Sequence, residues 1–192
     1  MHIGIAGAGL LGRLLAFELS RAGHVVEVFD PAPGPQAPAC GPGTAPYAAG
    51  WTAAGMLSPT AELESADEHV FALGLRSLDL WPAIVAALGL PVELHRRGSL
   101  LLAHRVVDLL QHKAPTGHAP QRLDAAALRD LEPDVHGVAH AWLLPHEGQI
   151  HTVATTTWLT GASCCRCRLW ALPAWTSRGR SKLRAAAPLV WR

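Results

Sequence analysis

The sequence predicts an α/β fold, and two stretches carry the prediction: MHIGIAGAGLLG with the amphipathic run behind it, and VVEVFD at residues 25–30. A short apolar run closed by glycine is too brief for a helix and reads as a strand, while apolar residues at helical spacing after it read as a helix. A second β-branched run then reads as another strand. Strand, crossover helix and strand in that order are the unit of a parallel sheet.

Taken in order, His2 to Ala6 is predicted as a short buried parallel strand. Gly7, Gly9 and Gly12 follow with the spacing G-x-G-x-x-G. In a dinucleotide-binding turn of this kind the first glycine permits the tight bend and the second lets main chain approach a pyrophosphate. The third lets the helix pack close to the strand. From Leu10 to Ala22 the apolar residues Leu11, Leu14, Leu15 and Leu19 recur at helical spacing, predicting the face turned to the sheet, with Gly23 as the stop. The helix start offers unpaired N–H groups and a positive dipole end to phosphates. Val25 to Phe29 is the second strand. Asp30 comes 18 residues after Gly12, where a carboxylate can accept hydrogen bonds from ribose hydroxyls and disfavours a 2′-phosphate. The unit is thus Rossmann-type, and these residues alone fit NAD and FAD alike.

Residues 31–50 are rich in Pro, Gly and Ala and predict a long loop. They lead to WTAAGMLSPTAE, where the small residues Ala53, Ala54 and Gly55 would let backbone approach a flat ring, and Met56 and Leu57 could cover its face. A tight turn that starts a helix is the competing reading. Between Ser65 and Leu88, Val70, Leu73, Leu78, Trp81, Val85 and Leu88 form a helical stripe read as core, with Pro82 expected to kink or split it. VELHRRGSLLLAH, residues 92–104, predicts two strands turning near Arg97 and Gly98, as a hairpin, with Arg96 and Arg97 solvated. Asp124 is predicted to cap a short helix that ends before Pro133.

Composition narrows the class further. With 192 residues, 49% hydrophobic and 16% charged, the chain can bury the core of one domain or slightly more. A formal net charge of +1 gives no overall reason to expect nucleic acid or a membrane surface. The charge is unevenly spread: residues 1–147 hold 9 basic and 15 acidic side chains, and residues 148–192 hold 7 basic and none acidic. The N-terminus lacks a basic segment before its apolar run, so no signal peptide is expected. No stretch approaches the roughly 18 apolar residues of a membrane span. Cys40, Cys164, Cys165 and Cys167 form no disulfide framework, which points to a reducing, cytoplasmic setting. His104, His112, His118, His136 and His146 read as scattered polar surface. Gly137 argues against a helical His136/His140 pair.

GAGLLG, then VEVFD, then AAGML together resemble the FAD-dependent D-amino-acid oxidase superfamily, with glycine oxidase-type enzymes of thiamine biosynthesis the nearest in pattern. The likeness extends over roughly the first 155 residues, GVAHAWLLPHEGQIHT at 137–152 included. The resemblance implies FAD as cofactor, with Gly7, Gly9, Leu10, Leu11 and Gly12 at the pyrophosphate, Asp30 and Pro31 at the ribose, and Ala54, Gly55, Met56 and Leu57 on the isoalloxazine side. Trp51 and Thr52 stand where relatives often carry a Ser or Thr pair. It also implies a small amino acid or amine as substrate, oxidised at its C–N bond by hydride transfer to the flavin; that no nucleic-acid partner is expected follows from the net charge alone. No catalytic acid or base is implied by these residues.

The family pattern is expected to stop near Ile150. The remainder carries four of the seven tryptophans and three of the four cysteines, and reads as neither helix nor strand for more than a few residues. Three readings stand: out-of-frame or otherwise aberrant translation of a GC-rich gene, a basic tryptophan-dotted tail for anionic partners, and a metal site at Cys164, Cys165 and Cys167. The expected organisation is a Rossmann-type FAD-binding region at 1–90, an incomplete mixed α+β substrate domain at 91–150, and the tail at 151–192.

Overall fold

A computed structural model describes residues 1–31, 48–63, 65–89, 91–103, 114, 117–161 and 167–171. In chain order they form β1 (His2–Ala6), α1 (Leu10–Arg21), β2 (Val25–Asp30), a 3₁₀ turn (Ala49–Trp51), β3 (Met56–Leu57), α2 (Pro59–Glu62) and α3 (Glu68–Leu88). Then come β4 (Leu94–His95), β5 (Ser99–Ala103), β6 (Gln121–Leu123), α4 (Ala125–Leu131), β7 (His140–Leu144), β8 (Gly148–Ile150), α5 (Thr152–Gly161) and β9 (Cys167–Ala171). They fall into two compact units, Met1–Ala54 with the described residues after Ile150, and Gly55–Ile150. These divide the chain elsewhere than at residues 90 and 150 alone. The reason is pairing: Met56 lies opposite Gln149, which ties the 55–63 segment to the strands far downstream.

In the first unit β1, β2 and β9 form a parallel sheet in the order β1-β2-β9, with His2 opposite Val25 and Ala6 opposite Phe29. Ile5, Ala8, Ala16, Val26 and Val28 make its core, with Ile3 and Leu19 packed on it. β1 is half-buried rather than buried on both faces: Ile5 is covered and Ile3 partly so, while His2, Gly4 and Ala6 are exposed. Only one face of the strand meets α1, and period-2 alternation follows from that.

The facing of α1 also differs from the leucine count. Arg13, Ala16, Phe17 and Ser20 are the buried positions, whereas Leu11 is 80% and Leu15 47% exposed. Close contact with the strand decides the rotation. A Cβ on Gly12 would lie 2.0 Å from the Gly7 carbonyl oxygen, so Gly12 must face the turn. With 3.6 residues per turn, Ala16 and Leu19 then share its side and Leu11 and Leu15 point away.

Beyond Ile150 the described residues carry regular structure, contrary to the reading of that stretch as patternless. α5 spans ten residues and packs on α1 and the 3₁₀ turn. β9 runs parallel to β2, Val26 opposite Cys167 through Asp30 opposite Ala171. The helix has no charged side chain and is rich in threonine, a poor signal by propensity, yet Thr152, Thr155, Thr156 and Leu159 are buried. Residues 172–192, with Trp175 and Trp191, and Cys40, Cys164 and Cys165, lie outside the described residues.

The second unit holds two antiparallel sheets, β3-β8-β4 and β5-β7-β6. β4 and β5 do turn at Gly98, whose φ is 84°, but they do not form a hairpin. β4 pairs with β8 and β5 with β7, because two ladder positions in β4 are too few to hold a hairpin against these competing partners. Arg96 and Arg97 are exposed, and Arg96 pairs with Asp79 at 3.6 Å on the surface. Asp124 caps α4, accepting from the Ala126 and Ala127 N–H groups.

α3 is one continuous helix with Pro82 inside it, so the split does not occur. Phe71, Leu78, Trp81 and Leu88 are its buried residues, while Val70 and Leu73 are 49% and 65% exposed. The true stripe starts at Phe71, which packs with Leu63 beside Leu75 and Leu101. By length and composition α3 is apolar enough to cross a membrane, contrary to the count of uninterrupted apolar residues, because Arg76 and Asp79 are its sole charges after Glu68 and His69.

α2 crosses α3 at Gly74, where an added Cβ would lie 2.7 Å from the Pro59 Cβ. Helix propensity favours Ala over Gly by about 1 kcal/mol, and overpacking costs about 1–3 kcal/mol. Gly74→Ala is therefore expected to lower stability on balance, read as an earlier midpoint in urea unfolding.

Candidate functional site

The glycine turn between β1 and α1 is held by main chain and by two charged side chains. Gly7 has φ 103°, a region that side chains avoid, and its N–H donates to the Phe29 carbonyl at 2.7 Å. The Ala8 N–H donates to Asp30 Oδ2 at 2.5 Å. The Ala8 carbonyl accepts from Arg13 Nε, also at 2.5 Å. Gly9 is the N-cap of α1, with no side chain capping the helix and no acidic residue in its first turn. Among the described residues the first N–H groups of α1 therefore have neither an intrahelical acceptor nor a side-chain cap.

Several sequence-predicted site residues gather here. Gly7, Gly9 and Gly12 form the turn and the helix start, and Asp30 reaches it from the end of β2, with Pro31 exposed just beyond. Asp30, assigned to ribose, is already engaged with the Ala8 N–H. The space beside Gly9 is bounded by Ala48, 3.3 Å from where a Cβ would stand. Leu10 is half-buried beneath Gly50, whereas Leu11 is largely exposed. Ala54 is exposed at the end of this unit. Gly55, Met56 and Leu57 belong to the second unit, where Gly55 has φ 80°, its carbonyl accepts from the Ile150 N–H, and Met56 is 53% exposed. The turn fits a pyrophosphate: it combines an uncapped helix start with a backbone that only glycine can follow.

Arg13 escaped the sequence reading. It is 5% exposed, its NH1 donates to the Thr156 carbonyl of α5 at 3.0 Å, and its guanidinium lies 5.2 Å from the centre of the Trp51 ring. Burial lowers its pKa, and the charge of Asp30 acts in the opposite direction. Its one visible signal was a basic residue directly after the last glycine of the motif.

Glu147 escaped too. It is fully buried in the second unit, in the turn between β7 and β8. Its carboxylate accepts from the Ala61 N–H of α2 at 2.9 Å and from the Ser99 hydroxyl, while its carbonyl accepts from the Gly98 N–H. It thus joins the segment after Leu57 to β5. Burial pushes its pKa above the ordinary 4.5, opposed by the Ser99, Ala61 and Thr60 hydrogen bonds.

Among the histidines, His118 and His146 are not scattered: their rings stand 4.9 Å apart, with Phe71 edge-on to His118. They are far apart in sequence, and the fold alone brings them together. His136 is exposed, and His140 lies on β7 beside Trp142. His104 and His112 lie outside the described residues. Among the described residues no group of three His, Cys, Asp or Glu could hold a metal.

Comparison with known proteins matches residues 2–164 to the DAO family model, described as FAD dependent oxidoreductase. A Rhizobium etli protein named as a thiamine biosynthesis oxidoreductase, ThiO, is 36% identical over 71% of this chain and 38% of its own length. Glycine oxidase of Geobacillus kaustophilus is 28% identical over 77% of this chain and 39% of its own. The chain thus spans about two fifths of the curated relatives it matches. Among solved structures, glycine oxidase from Bacillus cereus aligns with TM-score 0.67 and 21% identity over 84% of this chain and 43% of that one. Iminodiacetate oxidase from Chelativorans aligns with 0.66 and 22% over 88% and 46%. These last two share the fold.

Two outcomes follow from the geometry. Gly12→Ala is expected to destabilise the chain by about 1–3 kcal/mol, measured by chemical denaturation, since the turn must open to admit the methyl group. Glu147 has a folded-state pKa above its unfolded one, so its contribution to stability is fullest below about pH 4.5 and is lost as pH rises through the folded value. The stability of the natural chain relative to Glu147→Gln should accordingly fall from pH 4.5 toward neutrality, whereas Glu147→Ala, which orphans Ser99 and the start of α2, should cost about 1–3 kcal/mol or more throughout.

Proposed function

The chain belongs to the DAO family of FAD-dependent oxidoreductases, and from that premise we propose that its first unit binds FAD at the β1–α1 turn. The observation that carries this is the pair of peptide groups flanking Ala8, the first fixed at its N–H by Asp30 and the second at its carbonyl by Arg13, at the start of a helix whose leading N–H groups have no side-chain cap among the described residues. A pre-set backbone of this kind offers donors to a pyrophosphate without reorganisation.

In this reading Gly7, Gly9, Leu10, Leu11 and Gly12 border the pyrophosphate, and Asp30 and Pro31 the ribose. Ala54, Gly55, Met56 and Leu57 belong to the isoalloxazine end, by resemblance to the family. The activity we propose for the protein is oxidation of the C–N bond of a small amino acid or amine such as glycine, in a cytoplasmic setting. FAD would supply the hydride-accepting chemistry, and these residues its placement and electrostatic environment. A second reading is dinucleotide binding without turnover, which the following titration separates from oxidase activity.

The test is a titration of the purified full chain with FAD, followed by glycine under anaerobic conditions. Saturable binding with a perturbed flavin absorbance is the expected result, and Asp30→Asn should weaken it roughly tenfold or more, as for loss of a charged hydrogen bond. Bleaching of the bound flavin by glycine supports the oxidase, and bound flavin that never bleaches supports binding without turnover. No uptake of FAD or ADP at large excess overturns the proposal.

A further inference from the structure

We infer that Arg13 is a positioning residue that couples the glycine turn to α5, so that a diphosphate held at the turn is felt in a helix 143 residues away in sequence. The inference rests on the dinucleotide reading of the turn and goes beyond it.

A buried cation is costly, and an apolar residue would satisfy the covered face of α1 at less expense. What Arg13 meets explains its presence. Nε donates to the Ala8 carbonyl, NH1 to the Thr156 carbonyl, the Trp51 ring lies against the guanidinium, and Asp30 is close enough to act on it electrostatically. The two hydrogen bonds leave one planar, rigid fork, so the carbonyl orientation of Ala8 and the position of Thr156 are not independent.

Ala8 is the residue between the first two glycines, and its peptide groups must be fixed for the turn to meet a phosphate. A ligand that orders them also orders the fork, and the fork bears on α5. α5 itself is anchored by Thr152 to the Ala53 carbonyl and packs on α1 and the 3₁₀ turn. α5 is thereby part of the nucleotide unit's working geometry, not an appendage to it.

Hydrogen exchange of the full chain with and without ADP tests this. In the natural chain ADP should slow exchange of the α5 amides by about fivefold or more. Arg13→Lys, which keeps the charge and loses the fork, and Arg13→Met should both weaken ADP binding about tenfold and abolish the residual protection of α5 when ADP is raised to saturation. A merely structural role predicts lower stability with ligand-induced protection intact. ADP binding by the natural chain with unchanged α5 exchange overturns the inference, and this arm needs no variant to fold. So does full ligand-induced protection in Arg13→Lys. Absence of ADP binding by the natural chain removes the dinucleotide reading and the inference with it.

Discussion

The two peptide groups on either side of Ala8 organise the first unit. Ala8 sits between two glycines, and with Gly7 at φ 103° the backbone there has little conformational preference of its own to keep it in place. It is held by charge instead, with a carboxylate on its N–H side and a guanidinium on its carbonyl side. Hydrogen bonds to ionised partners are stronger than neutral ones. The carboxylate comes from the end of β2 and the guanidinium from the first turn of α1, so the strand, the turn and the helix are joined at one point. The close seat of Gly12 on Gly7 follows from the same arrangement.

The second unit likewise relies on a buried ionisable side chain. Glu147 lies at the start of α2 and beside Ser99, at a junction where three pieces of chain meet. The β3, β4 and β8 strands have only two or three residues each. A buried carboxylate with several directed partners specifies what such short ladders cannot.

Local features were readable in the sequence where local chemistry decides. The β1–α1–β2 order, the role of Gly12 and the Asp124 cap all depend on residues within a few positions of one another, and each is found where periodicity and turn residues put it. The facing of α1 was not readable from leucine spacing, because a backbone contact at Gly12 outranks the apolar area of Leu11 and Leu15. Arg13 and Glu147 were missed since hydropathy assigns a charge to the surface, and only the assembled fold shows their partners. β4 and β5 were read as a hairpin because sequence proximity is the cheapest pairing, yet β8 and β7 claim them. The helix and strand after Ile150 were hidden by threonine, tryptophan and cysteine, residues whose local preferences say little until α1 and β2 provide a surface.

The place of β9 has a further consequence. In doubly wound sheets the third strand docks on the far side of the second, and later strands are added beyond the first. β9 takes that third position, which converts β2 into an interior strand. Among the described residues β1 keeps an outward row of backbone donors and acceptors with no neighbour. Among the described residues the sheet therefore has two edge strands, β1 and β9, with β2 between them. An open strand edge is a template for strand addition, from the same chain or from another molecule.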